Sequence, residues 1–186
     1  MKKILALTGS VKGIKTQVAL KQTLQAIENI DPQIETDLLA IGDFNLEFSD
    51  GRALNLYNLD TQYVVNKILE ADALIIATPI YQTSIPGALK NIFDLLPMNS
   101  LENKFAAMIV TAASPMYFLM AEQQLRPILS YMGAYVGQKY VYIQDCDFNE
   151  HNEIKNQDIH DRILAQACDV LKGLKHVDFQ KTMNDL

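Results

Sequence analysis

The chain has 186 residues, 49% of them hydrophobic and 20% charged, with a formal net charge of −6 at pH 7. That length suits one domain with a sizeable core, and the acidic balance excludes a general nucleic-acid binder, which needs clustered Lys and Arg. No apolar stretch approaches the length of a membrane span, so a cytoplasmic protein with no membrane partner is expected. The opening Met-Lys-Lys and the run Ile4 to Leu7 imitate a signal peptide only as far as Thr8-Gly9-Ser10. Cys146, between Asp145 and Asp147, and Cys168 form no motif and are expected to be structural. Three histidines without ligand spacing give a metal site little support.

In chain order, Lys3–Thr8 reads as a strand and residues 16–29 as a helix with apolar Val18, Leu20, Leu24 and Ile27. A second strand is expected over 34–39, after the Asp31-Pro32 turn. Residues 42–58 lack a clear period and read as a long loop. A helix over 60–70, capped by Asp60 or Thr61, leads to a third strand over 71–77. A helix over 87–96 and a strand over 105–111 follow. Residues 115–132 read as a helix bent at Pro127. A fifth strand over 134–143 and a helix over 153–174 complete the pattern, with 175–186 as a loosely held tail. Strands alternating with helices predict an α/β fold, one domain over residues 1–174. Right-handed crossovers suggest a five-stranded parallel sheet of order 2-1-3-4-5.

The segment T-P-I-Y-Q-T-S-I-P-G-A-L-K-N-I-F-D, Thr78 to Asp94, is the most informative stretch. It follows an apolar run that reads as a buried parallel strand. It turns through Gln82-Thr83-Ser84 and enters a helix at Pro86-Gly87, where a proline costs no hydrogen bond. A strand ending in a polar loop before a helix places a ligand at the carboxyl edge of a sheet. Backbone N–H groups, the Thr83 and Ser84 hydroxyls and the flat Tyr81 ring suit a planar heterocycle. Helix capping alone requires neither the tyrosine nor both prolines.

This segment resembles the flavin-ring loop of the NADPH-dependent FMN reductases, a flavodoxin-like family with a three-layer sandwich fold. The resemblance implies that Pro79, Ile80, Tyr81, Gln82 and Ser84 border an isoalloxazine, with Gly87 and Lys90 in the helix behind it. The first strand–helix turn, T-G-S-V-K-G-I-K-T from Thr8 to Thr16, offers two glycines, hydroxyls and lysines at a helix N-terminus, a ready anion site. It is similar to the family's G-S-x-R-x-x-S-x-N/T phosphate loop. Lys12 stands where arginine is usual, Lys15 where serine is, and Gln17 where asparagine is. Ser10, Lys12 and Thr16 are therefore the preferred phosphate contacts, with Lys15 and Gln17 as secondary ones. By the same resemblance Thr111, Ala112, Ala113 and Ser114 close the other side of the ring, although glycines are commoner there.

The same first loop also reads T-G-x-x-x-G-I, close to the nucleotide loop of short-chain dehydrogenases, and Tyr135 and Lys139 supply a Y-x-x-x-K spacing. That pair needs a helix to bring both side chains one turn apart. Here it lies among glycines and β-branched and aromatic residues that favour a strand, so the dehydrogenase reading fails.

Taken together, the resemblance implies FMN and NADPH or NADH as cofactors, a small-molecule electron acceptor, and hydride transfer through the flavin. It also implies a homodimer or tetramer and leaves room for a flavin-dependent monooxygenase as partner. No protein acid, base or nucleophile is expected to be catalytic, because the flavin carries the chemistry. The alternative is a flavodoxin-type electron carrier without turnover. Residues 116–120 are five consecutive apolar positions that cannot all face one core; Leu119 and Met120 are expected inside, and the rest at the ring site or a subunit contact.

Overall fold

Alternate residues along the strands divide the core in two, as a period-two backbone requires. On β1 (Lys3–Thr8), Ile4 and Ala6 join one cluster while Leu5 and Leu7 join the other. The same split recurs on β3 (Ala73–Pro79) and β4 (Phe105–Ala112), where Ile75 and Ile109 oppose Ile76 and Met108. Helices α1 (Ile14–Ile30) and α5 (Gln157–Asn184) cover the first face. Helices α2 (Leu59–Glu70), α3 (Gly87–Leu95) and α4 (Arg126–Tyr131) cover the second. The structure, a computed structural model, describes residues 2–184.

With β2 (Glu35–Ala40) and β5 (Tyr135–Val136), the sheet runs β2-β1-β3-β4-β5, and β6 (Val141–Gln144) also pairs with β4. All pairs are parallel. This is the flavodoxin-like order expected from the sequence. The chain leaves β1 and β3 in opposite directions, so a crevice opens beyond their carboxyl ends. Among the described residues no helix is long and apolar enough to cross a membrane.

The expected fifth strand is two short strands. Four residues, 137–140, oppose only Ala107 and Met108 of β4, so the backbone bulges out. Arg126 Nη2 donates to Gly137 O (2.8 Å) and Gln138 O (3.2 Å), and Gln166 Nε2 donates to Met108 O (2.7 Å). Side chains distant in sequence thus satisfy the carbonyls that the bulge leaves without strand partners.

The helix expected over 115–132 is also broken. A 3₁₀ turn, Pro115–Tyr117, is followed by a π-helical turn, Ala121–Leu125, and only then by α4. Pro127 lacks an N–H for the carbonyl four residues back, which places the distortion in the preceding turn. Ala121, Leu125 and Leu129 take the core positions, and Leu119, expected inside, is 53% exposed.

Helix α2 is capped by Asn58, whose side chain accepts the Thr61 N–H at 2.8 Å, rather than by Asp60 or Thr61. The 42–58 loop is fastened to it. Glu47 accepts the Asn58 N–H, its own N–H donates to Thr61 Oγ1, and Arg52 pairs with Glu47 and Asp50. At the far end, α5 begins at Gln157 and continues to Asn184 instead of ending at Leu174. Val177, 2% exposed, extends the apolar stripe of Ile163, Val170 and Leu174 through the expected tail.

Candidate active site

A cleft of about 360 Å³ lies at the carboxyl edge of the sheet. Lys12, Gly13, Ile14, Lys15 and Thr16 line one end, Pro79, Ile80 and Tyr81 a second side, and Thr111, Ala112 and Ala113 a third. Asp145 and Asn152 complete it. Three loops far apart in sequence meet here because β1, β3 and β4 are neighbours in the sheet.

The loop after β1 is shaped by close approach. Gly9 N donates to Ala77 O at 2.6 Å, and a Cβ at Gly9 would lie 2.8 Å from Leu89 Cδ2 and 2.9 Å from Thr78 Cβ. A Cβ at Gly13 would lie 2.0 Å from Ser10 Oγ and 2.4 Å from Thr16 Oγ1. The two hydroxyls therefore pack into the place a side chain at Gly13 would need. Thr16 Oγ1 donates to Gly13 O (2.8 Å) and sits 3.5 Å from Ser10 Oγ. No side chain caps α1 and no acidic residue occupies its first turn. Its first amides are open, so this end is built to receive an anion.

Electrostatics favour the same occupant, with one counterweight. Lys12 is exposed and makes no ion pair among the described residues. Lys15 Nζ instead lies 2.7 Å from Asp145 Oδ1.

The second side ends in a tight reversal. Tyr81 N donates to Ser84 O (2.9 Å) and Ser84 N to Tyr81 O (3.0 Å), with Gln82 and Thr83 at φ 48° and 62°. Two left-handed central residues make a type I′ turn, usually given to Asn and Gly. For a β-branched threonine this conformation is strained. Ser84 Oγ donates to Gln124 Oε1 at 3.1 Å, tying the turn to the π-helical segment. Ile80 N donates to Thr111 O (3.2 Å), joining the second and third sides. The third loop, without glycine, is held by Tyr142 Oη donating to Ser114 O at 2.5 Å. Burial raises the Tyr142 phenol above its usual range, so it stays a donor.

Of the residues singled out from the sequence, Lys12, Lys15, Thr16, Pro79, Ile80, Tyr81, Thr111, Ala112 and Ala113 come together around the cleft. Ser10 lies just behind it, 2% exposed. Gln17, Gln82, Ser84 and Ser114 do not line it. Gln17 has already turned into α1, and Gln82 sits at the exposed tip of the turn. Ser84 is bonded to Gln124, and Ser114 Oγ accepts the Met116 N–H, capping the next turn. Gly13, Ile14, Asp145 and Asn152 also line it and were not among the residues singled out from the sequence. Asp145 follows the last strand, and the rule that ligands collect beyond strand ends would have found it.

A larger cavity, about 510 Å³, opens at the broken strand edge beside Phe118, Tyr140 and Gln166. Burial, with Glu122 nearby, pushes the Tyr140 phenol up to about 12. None of the strand-end loops lines this cavity, so it lacks the anion-binding amides and the paired loop walls.

The model of the NADPH-dependent FMN reductase family matches residues 2–147. An NAD(P)H-dependent FAD/FMN reductase of Geobacillus thermodenitrificans is 37% identical over 169 residues, covering 91% of each chain. The NADH-dependent FMN reductase SfnF of Pseudomonas fluorescens is 31% identical over 89% of this chain and 88% of its own. Among solved structures, the apo form of the NADH:FMN oxidoreductase EMOB superposes with a TM-score of 0.73 at 23% identity, covering 97% of this chain and 90% of that one. FerB of Paracoccus denitrificans does so with a TM-score of 0.73 at 22% identity, covering 95% and 98%. The matched residues include all three loops that build the cleft, and the chain belongs to the NADPH-dependent FMN reductase family.

Proposed function

We propose that the chain is an NAD(P)H-dependent oxidoreductase that works through FMN held in the carboxyl-edge cleft. The observation that carries this reading is the uncapped N-terminus of α1 opening on the same cleft as the β3 and β4 ends, with Gly13 letting the Ser10 and Thr16 hydroxyls pack close against it. Those residues fit a flavin phosphate at one end and a flat ring at the other. When bound, FMN would supply the hydride acceptor for a nicotinamide and the donor for a small-molecule acceptor. Lys12 and the first amides of α1 hold the phosphate, with Thr16 shaping the cradle. Pro79, Ile80, Tyr81 and residues 111–113 confine the ring and exclude water from its edges. Tyr81, 52% exposed, stands at the rim where a second ligand enters. No protein side chain is asked to move a proton.

The relatives' names span flavin and quinone reduction, the latter in a 2-hydroxy-1,4-benzoquinone reductase of Burkholderia 30% identical over 119 residues. Free flavin and quinones are accordingly the first acceptors to try, a flavin-dependent monooxygenase the macromolecular partner, and the cytoplasm the expected location. The exposed Met98 and Tyr131, which line a groove between α3 and α4, and the exposed Met116 and Leu119 after β4 support a homodimer or tetramer. Light scattering should then give at least twice the chain mass.

The decisive experiment is anaerobic addition of NADPH or NADH to the FMN-loaded protein. Loss of the oxidised-flavin absorbance is expected, followed by its return when quinone is added. No reduction by either nicotinamide would overturn the reductase reading in favour of an electron carrier.

A further inference from the structure

The anion end of the cleft contains a carboxylate. Asp145 lines it together with Lys12, Lys15 and Thr16. Lys15 Nζ lies 2.7 Å from Asp145 Oδ1 and 5.2 Å from the centre of the Phe148 ring. Both partners belong to the segment that follows β6. That segment is braced: Gln144 N donates to Asp147 Oδ2 (2.8 Å), and Asn156 Nδ2 donates to Asp147 Oδ1 (2.7 Å). Asp145 therefore sits on a fixed turn and holds Lys15 on the β6 side of the cleft.

We propose that Asp145 sets how tightly the flavin phosphate is held, keeping Lys15 engaged in an ion pair so that FMN exchanges with solution. This inference rests on the reading of the cleft as an FMN site. A phosphate that enters has two routes. It can leave Lys15 with Asp145 and use only Lys12 and the helix amides. It can instead draw Lys15 away and leave Asp145 unpaired beside a dianion. Both routes bind less tightly than a cleft with two free lysines, because like charges repel and one cation serves two anions. The pair is partly solvated, with 31% of the Lys15 and 53% of the Asp145 side chain exposed, which keeps the effect moderate. Riboflavin, which lacks the phosphate, is indifferent to it.

Equilibrium titration of the full chain by flavin fluorescence quenching tests this, with FMN and riboflavin as separate probes. Asp145→Asn should tighten FMN about fivefold and leave riboflavin within about twofold, and the gain should shrink as salt rises. The gain should be smaller in a Lys15→Met background, where only repulsion and not competition is relieved. Asp145→Ser should move FMN in the same direction, so that a folding fault in one variant does not decide the outcome. Unchanged or weaker FMN binding in both variants, or riboflavin tightening in step, overturns the proposal. An equal gain in the Lys15→Met background overturns the competition on which it rests. If Lys12→Glu weakens FMN while the Asp145 variants do nothing, this inference alone fails. If the unmodified chain binds neither flavin, the cleft reading fails with it.

Discussion

The two ends of the cleft are built in different ways. The anion end is local except for Asp145: residues 9–16 form one short loop whose hydroxyls and carbonyls bond to one another and whose helix supplies the open amides. The ring end is assembled from the ends of β3 and β4, and it is held by long-range bonds, Ser84 to Gln124 and Tyr142 to Ser114. It also carries strain, with Gln82 and Thr83 left-handed. Strain in a loop that long-range bonds hold in place is a common attribute of binding sites. A phosphate cradle can be rigid because its ligand does not change shape. A ring site must admit a second planar molecule, so its rim is exposed.

The contrast can be broken first at the anion end. Lys12→Glu should weaken FMN by about 1.5–3 kcal/mol, roughly ten- to hundredfold, because a charge-assisted contact is replaced by repulsion. Riboflavin should change little, and fluorescence titration of both flavins measures the difference. Equal losses would put the phosphate elsewhere. Gly13→Ala comes next. Its methyl would collide with the Ser10 and Thr16 hydroxyls and push the loop out of place, and overpacking of this kind costs about 2 kcal/mol, roughly thirtyfold if it falls on FMN affinity. Unaltered FMN binding would remove the cradle from the argument.

At the ring end, Tyr81→Ala should lower turnover about tenfold, while folding stability changes by less than about 0.5 kcal/mol, as for an exposed residue. Steady-state kinetics beside chemical denaturation separates the two. A loss confined to FMN, sparing riboflavin, would contradict the division of labour.

The smallest effect lies outside the cleft, at the broken strand edge. Tyr140 Oη donates to Phe118 O, and burial raises its phenol from 10.0 to about 12. A raised pKa means that the folded state keeps the proton longer than the unfolded one. The stabilisation is therefore complete below pH 10 and is lost as pH rises towards 12. Tyr140→Phe should flatten that alkaline fall in stability, measured by denaturant unfolding between pH 9 and 11.5. An unchanged slope would show that other groups cause it.

Much of this was legible locally. β1, the glycine loop and the start of α1 follow from an apolar strand, a tight turn and an amphipathic repeat within thirty residues. The Pro86-Gly87 helix entry was likewise visible, since proline and glycine act on their own backbone, whereas β3 runs from Ala73 to Pro79 rather than over 71–77. The break between β5 and β6 was not. Its residues look like a continuous strand, and the groups that stabilise the bulge are Arg126 and Gln166, on other elements. The length of α5 was also misjudged, because Val177 continues a stripe beyond Lys175-His176.

The sequence by itself determined the alternation of strands and helices, the glycine loop after β1, and the polar loop after β3. These depend on backbone preferences and apolar period, which act between neighbours along the chain. Only the tertiary structure decided which loops share a cleft, that Ser84 is tied to Gln124, and that Asp145 and Asn152 complete the site. It also decided that Lys15 faces a carboxylate 130 positions away. The reason is physical: the charge a phosphate would meet is the sum over every element at the sheet edge. That sum exists only once parallel strands have brought their carboxyl ends together.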